Sequence, residues 1–190
     1  MTAAPADRKA AITKGLPGKD FSALLARAES ASATAARDGA LYCYNMFAYI
    51  DGDFMQKVVG VLQESDGKAK IKEAAKEGAL RPDLAKRGAI RSVFDGRYRF
   101  TRYFSPKSHN RPDSLDALFR LNDVELFDLE HDPLERRNLA LERDRQRDLL
   151  DTMNTKLNGL IDKEVGDDVG QMLPGGVDGG WVATEAVNDV

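Results

Sequence analysis

The sequence predicts an α+β fold in which a small antiparallel sheet of three to four strands packs against a long C-terminal helix. Two runs of β-forming residues, 90–94 and 98–104, flank Asp95-Gly96, a dipeptide preferred in tight hairpin turns. A third such run covers 124–129, and an apolar stripe at helical spacing follows over 149–161. Elements of these kinds form a sheet layer covered by helix.

Composition excludes several classes of protein. The 190 residues, 42% hydrophobic and 31% charged, suit one soluble domain. The net charge of -3 argues against a dedicated nucleic-acid binder, which needs a basic excess. Cys43 is the single cysteine, which excludes an intramolecular disulfide framework. No run reaches the roughly 18–20 apolar residues that cross a bilayer, so no membrane span is expected.

The chain divides into three parts by composition. Residues 1–15 read as a flexible leader, 16–165 as one folded unit, and 166–190 as a Gly/Asp-rich extended tail. The start has no apolar core of the secretory type, which predicts a cytoplasmic protein but leaves a longer parent open. Within the folded unit the patterns predict a short helix capped by Asp20, a strand over 41–47, and helices over 54–62 and 64–80.

Two turns are predicted in more detail. Asp95-Gly96 suits a type I′ turn, in which both central residues have positive φ. Asp132, Pro133 and Glu135 have the spacing of a capping box, which predicts a short turn of helix. A longer helix is expected after Asn138, with one apolar stripe consisting of Leu149, Leu150, Met153, Leu157, Leu160 and Ile161.

The run 97–104 alternates basic and aromatic residues, which some sheets use to bind single-stranded nucleic acid. The acidic net charge favours a simpler interpretation, an ordinary strand with its aromatic side chains inward and Arg97, Arg99 and Arg102 outward. Cys43 lies in an aromatic strand and is expected to be a buried thiol that packs as a small hydrophobic side chain.

Acidic residues cluster around the third strand. Oxygen ligands of this kind suit hard cations, and the group consists of Asp128, Glu130, His131, Asp132 and Glu135. Because the capping roles of Asp132 and Glu135 already explain the best-placed carboxylates, no metal site is predicted.

The polar loop 105–116 carries the candidate substrate-contacting residues Lys107, His109 and Arg111. Loops that face a partner's cleft often supply such contacts. By itself, however, His109 is expected to be a solvated loop histidine. The three side chains become substrate-rim residues only if they face such a cleft.

Three segments, in this order, resemble the C-terminal part of the sulfatases (arylsulfatases and relatives in the alkaline-phosphatase superfamily). LPGKDFSALL at 16–25 resembles G-x-S-L-x-P-L-L, although Asp20-Phe21 replace Ser-Leu and Ala23 replaces Pro. RGAIRSVFDGRYRF at 87–100 is similar to R-A-V-R-T-x-R-Y-K-Y. ELFDLEHDPLERRNLA at 125–140 closely resembles E-L-Y-D-L-x-x-D-P-x-E-x-x-N-L-A and is the specific match.

The resemblance implies a four-stranded antiparallel subdomain docked on a large α/β catalytic domain. In that family the nucleophile is a formylglycine within C/S-x-P-S-R, assisted by a bound Ca²⁺. Cys43 begins Cys-Tyr-Asn-Met-Phe and does not match that motif. The resemblance therefore implies that this chain has no catalytic residue, metal or cofactor of its own and is inactive alone. Calcium is expected in the missing catalytic domain.

Two partners follow from that implication. The chain associates either with a sulfatase catalytic domain or with itself through the exposed face of its sheet. The alternative function is a stand-alone, non-catalytic interaction module derived from the sulfatase C-terminal sheet. Nucleic acid and membranes are not expected as partners.

Overall fold

The computed structural model describes residues 21–32, 35–45 and 51–171, with a few isolated positions before residue 21. The chain forms two compact units, 1–37 and 38–190. In the first unit, the predicted short helix is present as α1 (Ser22–Leu25), followed by a 3-10 turn at Ala28–Ser30. The expected cap at Asp20, most of the leader and the tail from 172 lie outside the described residues.

The second unit contains a four-stranded antiparallel sheet, which confirms the predicted fold class. Its strands are β1 (Ala40–Asn45), β2 (Ala89–Phe94), β3 (Tyr98–Phe104) and β4 (Asp123–Asp128), adjacent in chain order. The β2–β3 register pairs Arg91 with Arg102 and Val93 with Phe100. Side chains of paired residues share a face, and alternate residues along a strand return to it.

Helices are inserted between the strands and follow them. The predicted helices are present as α2 (Gly52–Leu62), α3 (Gly67–Lys76) and α5 (Arg147–Glu164). Helix α4 (Leu115–Leu121) was not predicted, although its sequence carries the signals. Ser114 Oγ caps it by accepting from Ala117 N at 3.3 Å.

The core lies between the sheet and α5. Val93, Phe100 and Leu126 are fully buried on one face of the sheet. The apolar stripe of α5 packs against them, with Leu150 and Leu157 among its buried residues. The stripe predicted from the sequence is therefore correct, but the helix begins later than Asn138 because a 3-10 turn (Leu139–Leu141) comes first.

The β2–β3 turn is centred one residue later than expected. Asp95 N donates to Tyr98 O at 3.2 Å, which makes Gly96 and Arg97 the central pair. Gly96 has φ 104°, whereas Asp95 and Arg97 are not among the described residues with positive φ. The type I′ prediction is wrong, since only the first central residue has positive φ, as in type II′ turns. Asp95 Oδ1 instead accepts from Arg97 N and Tyr98 N at 3.1 and 2.8 Å.

The predicted capping box is also wrong. Residues 132–135 form a turn and no helix, and Glu135 has φ 54°, outside the helical region. The carboxylate of Asp132 accepts from Arg137 N at 2.8 Å, five residues ahead. Glu135 pairs with Arg99 across the sheet. The Asp132 carboxylate thus still accepts from a nearby backbone amide, whereas Glu135 has a long-range partner in place of the expected cap contact.

Of the helices that the structure describes, none is long and apolar enough to cross a membrane.

Candidate functional site

The sheet face opposite α5 forms a groove of about 560 Å³. We call it the open face, and its lining includes Tyr42, Ile90, Phe94, Arg99, Tyr103 and Glu125. Tyr42 is 55% exposed and Phe94 38%. The rings of Tyr42 and Tyr44 stack along β1 with centroids 6.2 Å apart. The open face therefore presents aromatic area at the β1 side of the sheet.

Polar groups lie at the floor and far wall of this groove. Ser92 Oγ and Thr101 Oγ1 are 2.8 Å apart across β2 and β3 and are nearly buried. Tyr103 donates its hydroxyl to Glu125 Oε2 at 2.8 Å. Burial, followed by the bond to Glu125, raises the pKa of Tyr103 to about 12. Tyr103 is thus a neutral hydrogen-bond donor and not a base.

A second group lies on the helix side of the sheet, at the end where β2 begins. We call it the arginine cluster, and it consists of Arg91, Arg102, His109 and Asp168. Arg91 forms a bidentate pair with Asp168, with Nε to Oδ2 at 2.7 Å and Nη2 to Oδ1 at 2.8 Å. Both side chains are at least nine-tenths buried. Paired guanidinium and carboxylate planes of this kind give strong, directional hydrogen bonds.

His109 belongs to this cluster, and the expectation that it is solvated is wrong. Its side chain is only 4% exposed. The 3-10 turn Pro106–Ser108 folds the ring back so that it meets Phe104 edge-on at 5.0 Å. Nδ1 lies 2.7 Å from Pro106 O, an obligate acceptor, so Nδ1 carries a proton and Nε2 faces Arg91 Nη2 at 3.4 Å. Burial lowers the pKa of His109.

The three rim candidates do not converge. Arg111 pairs with Asp162 on α5 and donates to Gly166 O. Lys107 is exposed and has no ion pair among the described residues. Of the three, His109 is the residue that lies beside charged side chains of the arginine cluster, Arg91 and Asp168. The role of all three as substrate contacts remains a prediction.

Arg102 is the residue of the cluster whose orientation the sequence predicted wrongly. It was expected to point outward but is 0% exposed, because it shares a face with Phe100 and Phe104. Nη1 donates to Asn154 Oδ1 at 2.9 Å and Asn158 Oδ1 at 2.8 Å, while Nε and Nη2 have no partner. Burial lowers the pKa of Arg102 to about 10. Its period-two spacing with two phenylalanines was a usable signal.

The acidic turn after β4 brings Asp128, Glu130 and His131 together, with ligand atoms within 4.8 Å of one another. Arg97 holds both oxygens of Asp128, at 3.0 and 2.7 Å. His131 Nδ1 is a further 3.0 Å neighbour. Arg97 first, then His131, hold the pKa of Asp128 well below its usual range. Ion pairing explains this cluster without a metal.

The prediction that Cys43 is buried is wrong, because its side chain is exposed. It pairs with Arg91 in the β1–β2 register. Since β1 is the first strand of the sheet, a residue there lacks a strand neighbour on one side. Partial desolvation nevertheless raises the pKa of the Cys43 thiol.

No protein-family model and no curated protein matches this sequence.

Proposed function

We propose that this chain is the C-terminal subdomain of a sulfatase-type hydrolase, supporting a catalytic domain that carries out the hydrolysis. The observation that carries the proposal is the open face of the sheet. Its other face is filled by α5, yet Tyr42, Tyr44 and Phe94 remain exposed together. Grouped exposed apolar side chains mark interaction surfaces.

Contacts within the segment 125–140 support the same interpretation. Leu126 is in the core, Asp128 pairs with Arg97, Asp132 accepts from Arg137 N, and Asn138 bonds to β4. The positions that resemble the sulfatase pattern therefore build the subdomain. A supporting role follows, since these side chains are occupied by structural contacts.

The proposed occupant of the open face is an α/β sulfatase domain. The groove combines aromatic rings with Arg99 and Glu125, a mixture typical of interfaces with an apolar centre and polar rim. The sequence has no C/S-x-P-S-R segment, so the nucleophile would come from that domain. Calcium would bind there as well, and this chain would contribute at most the rim residues around His109.

The parentage is tested by the DNA immediately upstream of Met1. A coding segment in the same frame that contains C/S-x-P-S-R is expected. The purified chain is expected to show no hydrolysis of an aryl sulfate, with or without calcium. Turnover by the chain alone, lost on chelation, contradicts the proposal, and so does upstream DNA that encodes no sulfatase domain.

The docking surface is tested by co-purification with that catalytic domain. The double variant Tyr42→Ser, Phe94→Ser is expected to lose binding, while Leu134→Ser, whose side chain is 68% exposed outside the groove, retains it. Equal binding by both variants contradicts docking through the open face. Sedimentation that shows a homodimer broken by the double variant would instead favour the stand-alone module.

A further inference from the structure

The residues after α5 turn back towards the sheet and place one carboxylate in the arginine cluster. We call residues 166–171 the strap. Asp168 on the strap pairs with Arg91, and Asp168 Oδ1 lies 3.7 Å from His109 Nε2. Arg111 also donates to Gly166 O. Gly166 and Gly170 have φ of 81° and 84°, backbone that glycine adopts without strain.

The charges of the cluster do not balance. Arg91 and Arg102 are direct cross-strand neighbours, and both are almost fully buried. Among the described residues, Asp168 is the one carboxylate that forms an ion pair with either arginine, and its partner is Arg91. Arg102 keeps two buried nitrogens, Nε and Nη2, without a partner. Two guanidinium charges against one carboxylate leave the cluster with one excess positive charge. A buried charge with incomplete compensation is costly.

We propose that Arg91, Arg102 and His109 form a binding site for a tetrahedral dianion, a sulfate or phosphate group, which the carboxylate of Asp168 occupies when the strap is closed. This inference does not depend on the sulfatase parentage. It rests on the bidentate contact of Asp168 with Arg91 and on the unpartnered nitrogens of Arg102.

The chemistry favours a dianion over a carboxylate. Asp168 offers two oxygens and one charge, and Arg91 uses both oxygens. A tetrahedral oxyanion accepts the same fork from Arg91 and has further oxygens and a second charge for Arg102. His109 Nε2, already beside this position, donates to the anion once it is protonated. Opening of the strap is required, because Asp168 and the ligand use the same donors.

The test measures binding of inorganic sulfate and phosphate to the full chain by isothermal titration calorimetry. Asp168→Asn and Asp168→Ala are expected to bind at least about tenfold more tightly than the wild type, because the competing carboxylate is gone. Asp38→Asn is the matched control, since Asp38 pairs with Lys163 in an exposed bridge outside the cluster. Its affinity is expected to equal that of the wild type.

A second substitution assigns the site to both arginines. Arg102→Met in the Asp168→Asn background is expected to lower the affinity for sulfate about tenfold or more. Circular dichroism checks that each variant is folded. Affinity unchanged by Arg102→Met, or equal in Asp168→Asn and Asp38→Asn, overturns the proposal.

Thermal melts keep the test decisive if a variant is unstable. Sulfate stabilises folded proteins generally, so the readout is the Tm shift in sulfate over chloride at equal ionic strength, relative to Asp38→Asn. If both Asp168 variants are unfolded, sulfate is expected to restore their circular dichroism spectra where chloride does not. Failure of sulfate to restore either one overturns the proposal.

Discussion

The side-chain amide of Asn138 takes the place of a neighbouring strand along β4: its Oδ1 accepts from Leu126 N at 3.0 Å. Its Nδ2 donates to Val124 O at 3.0 Å. Edge strands have free backbone groups that invite pairing with other chains. One amide thus satisfies a donor and an acceptor on the outer edge of β4, which gives a physical reason for asparagine at this position.

Asn138→Ala is expected to destabilise the fold by about 1–3 kcal/mol, because partly buried backbone groups lose their partners. Asn138 Oδ1 also accepts from Ala140 N, so the 3-10 turn loosens too. Urea unfolding measures the change in free energy. Gln56→Ala, on the exposed side of α2, is the control and is expected to stay within about 0.5 kcal/mol of the wild type. Equal effects of both changes would exclude the edge-pairing role.

Asp51 is expected to make stability depend on pH in the acid range. Its carboxylate accepts from Asp83 N at 2.7 Å and pairs with Lys86, and these contacts lower its pKa to about 2. Since the folded pKa lies below the unfolded one of about 3.9, the contribution is full above about pH 4 and lost as pH falls towards 2. Asp51→Asn is expected to flatten urea-derived stability over this range.

The control for Asp51 is Asp113→Asn, an exposed loop residue, which is expected to keep the wild-type pH profile. A profile for Asp51→Asn as steep as that of the wild type between pH 4 and 2 would show that the carboxylate has no such role.

Leu157→Ala tests the packing of α5 on the sheet. Leu157 is 0% exposed in the core cluster, so the substitution leaves a cavity and is expected to cost about 2–5 kcal/mol. Leu141→Ala, at a position that is 80% exposed, is the control and is expected to change stability little. Similar values for the two variants would contradict the burial of the stripe.

Cys43 is expected to react with a thiol reagent such as dithionitrobenzoate in the native protein, because its side chain is exposed. Its raised pKa keeps the thiolate fraction low at neutral pH, so the rate should rise with pH further into the alkaline range than for a free thiol. Labelling that requires denaturant would instead restore the original prediction of a buried thiol.

Local sequence patterns were enough to predict the central hairpin and the last helix. Alternating runs with an Asp-Gly break predicted β2 and β3, and helical spacing predicted α5 with its apolar stripe. These signals are local because a strand or helix repeats its facing every two or about 3.6 residues.

Which polar side chains are buried, and what they contact, depends on long-range packing that local patterns do not encode. Arg91, His109 and Asp168 meet because a strand, a loop and the strap converge from positions far apart in sequence, and Arg102 lies opposite Arg91 on the next strand. Contacts between residues far apart in sequence also explain where the predictions from sequence were wrong. Glu135 pairs with the distant Arg99 in place of a cap contact. Cys43 is exposed because β1 is an outer strand, and the composition of a strand does not encode its place in the sheet.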